Sequence, residues 1–143
     1  MPYHYLDQIA LADAAFEASG TTLEELFIAC ADALMNTMVE ELASIGCGEE
    51  ITFVTEHEAL DLLLFSYLNE LVFLKDARRL LLRVTNVSIS EQNGKYLARS
   101  VACGERINPA KHPLLSDVKA VTLYRFSLEK TADGWRAFVV LDI

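Results

Sequence analysis

Asp142 and Ile143 place a side-chain carboxylate next to the α-carboxylate of the final residue. They follow Trp135-Arg136-Ala137-Phe138-Val139-Val140-Leu141, a strand-like run that continues almost to the last residue. Chain ends ordinarily fray, so a β-like terminus is expected to be tied down. Two adjacent groups of hard anionic oxygens are ligands for Ca²⁺ or Mg²⁺, and a third carboxylate would make a plausible site. Asp7 and Asp13 are the candidates, because each lies beside an early extended segment. The plainer alternative is a strand that ends in water with a solvated Asp142.

A second group is cationic. Residues 104–113, Gly-Glu-Arg-Ile-Asn-Pro-Ala-Lys-His-Pro, are polar, and Lys119 follows at the next strand. Lys111 and Lys119 could meet phosphates or acidic groups, since functional residues favour loops on a rigid scaffold. The plainer reading is a surface connection. His4, His57 and His112 are isolated in sequence and read as surface or packing residues. Glycine-rich phosphate loops, His-Glu-x-x-His and Gly-x-Ser-x-Gly are all absent from the sequence. Cys30, Cys47 and Cys103 are odd in number and far apart, with no Cys-x-x-Cys spacing. They are expected to be free core cysteines.

The elements that must hold these groups can be read from periodicity. Asp13 to Ser19 alternates as a short strand closed by Gly20. Thr21 to Glu24 and Thr22 to Glu25 both fit a capping box. Leu23, Leu26, Phe27, Cys30, Leu34 and Met38 then form one apolar stripe, which predicts a helix near 21–44. Ile51–Val54 reads as a strand. Thr55 to Glu58 repeats the capping-box spacing and predicts a second helix over 56–76. That helix is apolar nearly all round, so it is either clasped by a sheet or half of an oligomer interface. Leu80–Ser90 and Lys95–Cys103 flank Asn93-Gly94, a strong hairpin turn. Residues 104–118 form a loop with Pro109 and Pro113. Ala120–Lys130 and Trp135–Asp142 flank a second turn at Asp133-Gly134. The fold class is therefore α+β: a mostly antiparallel sheet of two hairpins plus earlier strands, packed on two helices.

Size and charge bound the function. The 143 residues suit one domain, 1–143, and just over half are apolar, which excludes disorder. No apolar run approaches the ~20 residues of a membrane span. The start lacks a signal-peptide pattern, so a cytoplasmic protein with no membrane role is expected. The net charge of −9 argues against loose binding to nucleic acid. Residues 1–74 carry fourteen acids and no Lys or Arg, whereas all twelve basic residues lie between Lys75 and Arg136. Either the halves interleave and the charges mix, or the molecule is two-faced with a basic patch for a phosphate-bearing or acidic partner.

These stretches together resemble the archease family. The similarity is carried by Gly20-Thr21-Thr22-Leu23-Glu24-Glu25-Leu26-Phe27, Leu68-Asn69-Glu70-Leu71, Gly104-Glu105 with Lys111-His112, Val118-Lys119-Ala120-Val121-Thr122 and the closing Val139-Val140-Leu141-Asp142-Ile143. They occur in family order across essentially the whole chain. Archeases are non-enzymatic activators of the GTP-dependent RNA ligase of tRNA splicing and RNA repair. The resemblance implies a divalent metal, calcium before magnesium or manganese, held by Asp13, Asp142 and the carboxylate of Ile143. It implies an RNA ligase as protein partner, with indirect contact to tRNA or other RNA and a homo-oligomer left open. Asp7, Lys111 and Lys119 are the candidate partner-facing residues. The chain departs from the family where Asp7-Gln8-Ile9-Ala10-Leu11-Ala12-Asp13 is two residues longer than the usual Asp-His-Thr-Ala-Asp. It departs again where Leu123-Tyr124 stands for Tyr-His. Two other classes compete: an RNA-binding module using the basic second half, and a carboxylate- and metal-dependent hydrolase built on Asp7, Asp13 and Asp142.

Overall fold

Thr22 starts the first helix. Of the two capping spacings, the computed structural model selects Thr22 as N-cap, its hydroxyl accepting the Glu25 N–H at 3.1 Å. Glu25 reaches back to the Thr21 N–H at 3.2 Å, so the box closes through both threonines. Helix α1 (Leu23–Met38) follows its apolar stripe to Met38 and stops short of the expected boundary at 44. Val39 turns extended and bridges to Leu114, while the Asn36 amide caps the carbonyls of Val39 and Glu40 at 2.9 and 3.1 Å. Leu42–Ser44 form a single 3₁₀ turn.

The structure describes residues 2–6 and 13–143. Before α1 lie strands β1 (Tyr3–Leu6) and β2 (Asp13–Gly20). After it come β3 (Glu49–His57), helix α2 (Leu60–Arg78), β4 (Leu80–Gln92), β5 (Lys95–Arg106), β6 (Ala120–Thr131) and β7 (Gly134–Asp142). The α+β antiparallel architecture matches the sequence reading, but the two hairpins belong to different sheets. One sheet has the order β1-β2-β7-β6 and the other β3-β5-β4. The Asn93-Gly94 turn lies where expected, with φ of 53° and 77°, whereas the second turn sits one residue earlier than expected, at Ala132-Asp133, and Gly134, with φ of 152°, opens β7. The Thr55 capping box does not form. β3 continues through those residues to His57, and α2 begins after Ala59 without a side-chain cap. The β-branched run of β3 and its full pairing with β5 outweigh the local capping signal.

Helix α2 is clasped rather than left open. It packs on β3, β4, β5, β6 and α1, and Leu63, Leu64, Tyr67, Leu68 and Leu71 are fully buried. The Tyr67 hydroxyl satisfies itself on the Phe27 carbonyl at 3.0 Å, tying the two helices. One core draws on both sheets and both helices. The charge halves interleave: Arg83 pairs with Asp32, Arg78 with Glu49 and Lys95 with Glu56.

The cysteine expectation holds for Cys30 alone. Cys30 is free and fully buried, and burial pushes its thiol well up, so it serves as a packing group. Cys47 and Cys103 are instead disulfide-bonded with Cα atoms 5.0 Å apart. Their 56-residue separation hid the contact, because β3 and β5 pair only in the folded sheet.

Candidate functional site

The end of the four-stranded sheet is built by three strands. β2 opens on Asp13 and β7 closes on Asp142, and the two are direct cross-strand partners. Partners in an antiparallel pair share a face, with Cβ atoms about 4.5–5.5 Å apart. On the other side of β7, Ala120 of β6 pairs with Asp142. The last rung of the sheet is therefore Asp13, Asp142 and Ala120 in a row. Lys119 joins it through its backbone N–H, which donates to the Asp142 carbonyl at 2.8 Å, and its side chain is exposed. Ile143 is half-buried and packs against the core, which fixes the terminus beside Asp142.

Asp13 and Asp142 are both partly exposed, and among the described residues neither carboxylate has a cationic partner within 4.0 Å. Two like charges directly opposite on a sheet repel. The donors on offer are carboxylate oxygens, the set that a hard divalent cation takes. The residues present therefore suit such an ion. Among the described residues no group of three or more His, Cys, Asp and Glu side chains comes together as a metal site. Asp7 lies outside the described residues.

Lys111 and His112 went a different way. The loop after β5 folds back onto Glu105, whose Oε2 receives three donors. They are the Lys111 ammonium at 2.6 Å, the Gly46 N–H at 2.8 Å and the His112 Nε2 at 2.9 Å. The Lys111 ammonium first, then the Gly46 N–H and His112, hold the Glu105 carboxyl down to about 2. His112 is buried, and its Nδ1 accepts the Asn108 N–H at 2.9 Å, which leaves Nε2 to donate to Glu105. Gly104 lets the strand approach β4 closely, where any Cβ would collide with the Leu81 carbonyl. The sequence shows the polar loop but not this closure, since an i, i+7 His–Glu contact across a turn has no periodic signature.

Sequence reasoning also missed Lys75. Its side chain is 4% exposed, with Nζ at 2.5 Å from Asp76, 2.6 Å from Asp117 and 2.7 Å from the Val118 carbonyl. The signal available was a lysine inside the apolar run of α2. A further feature is the break in β6. Pairing with β7 lapses between Thr122 and Ser127, Arg125 has φ of 53°, and Leu123 and Tyr124 stand exposed. Arg125 lies over the Phe138 ring at 5.5 Å. No described helix is long and apolar enough to cross a membrane.

The sequence matches the Archease protein family over residues 3–143. Protein archease from Methanosarcina acetivorans is 37% identical over 142 residues, covering 99% of this chain and 95% of the relative. Protein archease from Pyrococcus furiosus is 39% identical over 133 residues, covering 92% and 93%. Among solved structures, protein 1598 of Methanobacterium thermoautotrophicum superposes with a TM-score of 0.86 at 29% identity, covering 99% of both chains. A Thermotoga maritima archease, described as a possible chaperone, shares the fold at a TM-score of 0.59 and 20% identity over 98% of both chains. With a family match spanning nearly its full length and relatives aligned end to end, the chain belongs to the archease family.

Proposed function

We propose that this chain is a non-catalytic accessory protein that binds a divalent cation and promotes guanylylation and turnover of an RNA ligase in tRNA splicing or RNA repair. The observation that carries the reading is the pairing of Asp13 with Asp142 on the last rung of the sheet, in a chain of the archease family. Calcium is the preferred ion, with magnesium or manganese as substitutes, and the α-carboxylate of Ile143 is its third ligand. A bound cation would remove the repulsion between the carboxylates and present a positively charged centre at the sheet's end. Asp13 and Asp142 orient that centre, and Lys119 beside them faces the ligase or its nucleotide. The description of the Thermotoga maritima relative as a possible chaperone is of the same kind, a protein acting on another protein.

The test uses a GTP-dependent RNA ligase from the same organism. With Ca²⁺, Mg²⁺ or Mn²⁺ present, the chain is expected to raise both the guanylylated fraction and the number of ligation turnovers per ligase. The Asp142→Asn variant should do neither. A ligase indifferent to the chain in all three ions would sink the reading. RNA shifted by the isolated chain, with affinity falling steeply as salt rises, would favour an RNA-binding module instead.

A further inference from the structure

Lys75 lies on the last turns of α2, and nothing in the proposed activity calls for it. Lysine is almost never fully buried unless paired, because its ammonium is costly to remove from water. Here the cost is offset by three acceptors for three N–H donors: Asp76, Asp117 and the Val118 carbonyl. Two of the three lie immediately before Lys119.

The loop that carries them is pinned in stages. The Ile107 N–H donates to Arg79, His112 closes on Glu105, and Glu40 donates to the Pro113 carbonyl at 2.9 Å. Leu115 and Ser116 donate to Met38 and Thr37 at 2.8 and 3.2 Å. The next backbone bond of this kind among the described residues is that of Lys119 to Asp142. Across the gap, the chain must pass from the end of α1 to the edge of the sheet in correct register. A one-residue slip would exchange the faces presented by successive side chains. Val118, fully buried, anchors this segment without direction. Lys75 adds direction, since its bonds fix both a side-chain oxygen and a main-chain oxygen. An apolar residue at position 75 could fill the space, but it could not set the rotation of the 117–118 peptide.

We infer that Lys75 is a positioning residue, which holds Asp117 and Val118 so that Lys119 enters the sheet in register beside Asp142. The inference rests on the proposed ligase role only for the purpose of that placement. Two measurements on Lys75→Met separate the parts. In amide hydrogen exchange, the Lys119 N–H should lose protection by about tenfold or more, while the Leu64 and Leu71 amides in the core of α2 keep theirs. In the ligase assay at saturating Ca²⁺, Lys75→Met should lower activation by about tenfold or more, the scale expected when a working group is displaced. The double variant Lys75→Met/Lys119→Ala should be no worse than Lys119→Ala alone. The Ca²⁺-induced rise in melting temperature should persist, since Asp13 and Asp142 sit on other strands. Asp117→Asn keeps the size of the partner and weakens the same contact; it should shift both readouts in the same direction, and it serves if Lys75→Met fails to melt cooperatively. Unchanged protection at Lys119 in either variant overturns the positioning. Multiplying effects in the double variant overturn the route through Lys119. A parent chain that leaves the ligase unaffected overturns the ligase reading and the purpose given to Lys75, while the exchange experiment still decides the placement.

Discussion

Two carboxylate sites in this molecule are built in opposite ways. Glu105 is saturated by its own protein: a lysine, a histidine and a backbone N–H meet on one oxygen, and the side chain is 23% exposed. Asp13 and Asp142 face each other across a ladder, with no cation close to either among the described residues. A carboxylate whose lone pairs are taken by the fold has its interaction energy spent within the fold, and Glu105 therefore works as a latch for the loop. A carboxylate pair left unfilled keeps its capacity for something from outside. The same residue chemistry thus gives a structural clasp in one place and a candidate ligand site in the other, and the donors nearby decide which.

The largest expected effect tests that division directly. A bound ion stabilises the folded chain in proportion to the logarithm of its concentration over its dissociation constant. At a hundredfold excess over that constant the gain is ~2.7 kcal/mol, or about 5–10 °C in melting temperature for a chain of this size. The parent should show such a rise with Ca²⁺. Asp13→Asn and Asp142→Asn should abolish it, and a glycine appended after Ile143 should weaken it nearly as much by moving the α-carboxylate. Asp7→Asn should cost less than Asp13→Asn, because Asp13 is the residue paired with Asp142. Glu105→Gln should leave the ion-induced shift intact. A melting titration across these variants checks the whole set. The comparison breaks if Glu105→Gln loses the shift, or if the parent shows none with Ca²⁺, Mg²⁺ or Mn²⁺.

Much of this was legible before folding, and the remainder was hidden for definite reasons. Asn93-Gly94 announced the first hairpin because its φ requirement is local, and Asp133-Gly134 announced the second to within one residue. The second helix, apolar nearly all round, announced its burial, and Leu64, Tyr67, Leu68 and Leu71 on it are fully buried. Local signals misled where tertiary pairing competed with them. Thr55 and Glu58 have capping spacing, yet β5 supplies hydrogen bonds to the chain as far as His57. The assignment of the hairpins to separate sheets was not visible, since it depends on β2 reaching β7 and β3 reaching β5 over long separations. For the site, Asp13, Asp142 and Ile143 were named from types and resemblance, and the register adds that Asp13 and Asp142 lie opposite. Lys111 was named as a candidate partner-facing residue, and the structure adds an ion pair of its amine with Glu105 that the sequence did not show. Ion pairs between distant residues leave no periodic trace, which is also why Lys75 and the Cys47–Cys103 bond went unseen.

The smaller prediction concerns the filled carboxylate, and its sign follows from proton linkage. Lys111, the Gly46 N–H and His112 hold the Glu105 carboxyl at about 2 in the folded chain. An ordinary glutamate in the unfolded chain titrates near ~4.3. A depressed folded-state value means that the unfolded chain takes up the proton more readily. The contribution to stability is therefore complete above the unfolded value and is lost as pH falls toward the folded one. In Glu105→Gln this part of the acid response disappears, because the amide does not titrate. The parent should melt above the variant at neutral pH, and the gap should narrow steadily between about pH 5 and pH 2. The gap should be smaller than the ion-induced shift, since the pair with Lys111 is partly exposed, with that lysine's side chain 48% exposed. Lys111→Ala should narrow the same acid-dependent gap by removing the strongest of the three donors. Melting curves of parent, Glu105→Gln and Lys111→Ala at pH 2, 3, 4, 5 and 7 in a calcium-free buffer measure this directly. A parent-to-variant gap that stays constant from pH 7 to pH 2 would show that the charge on Glu105 contributes nothing to the latch, and the contrast with Asp13 and Asp142 would then rest on packing alone.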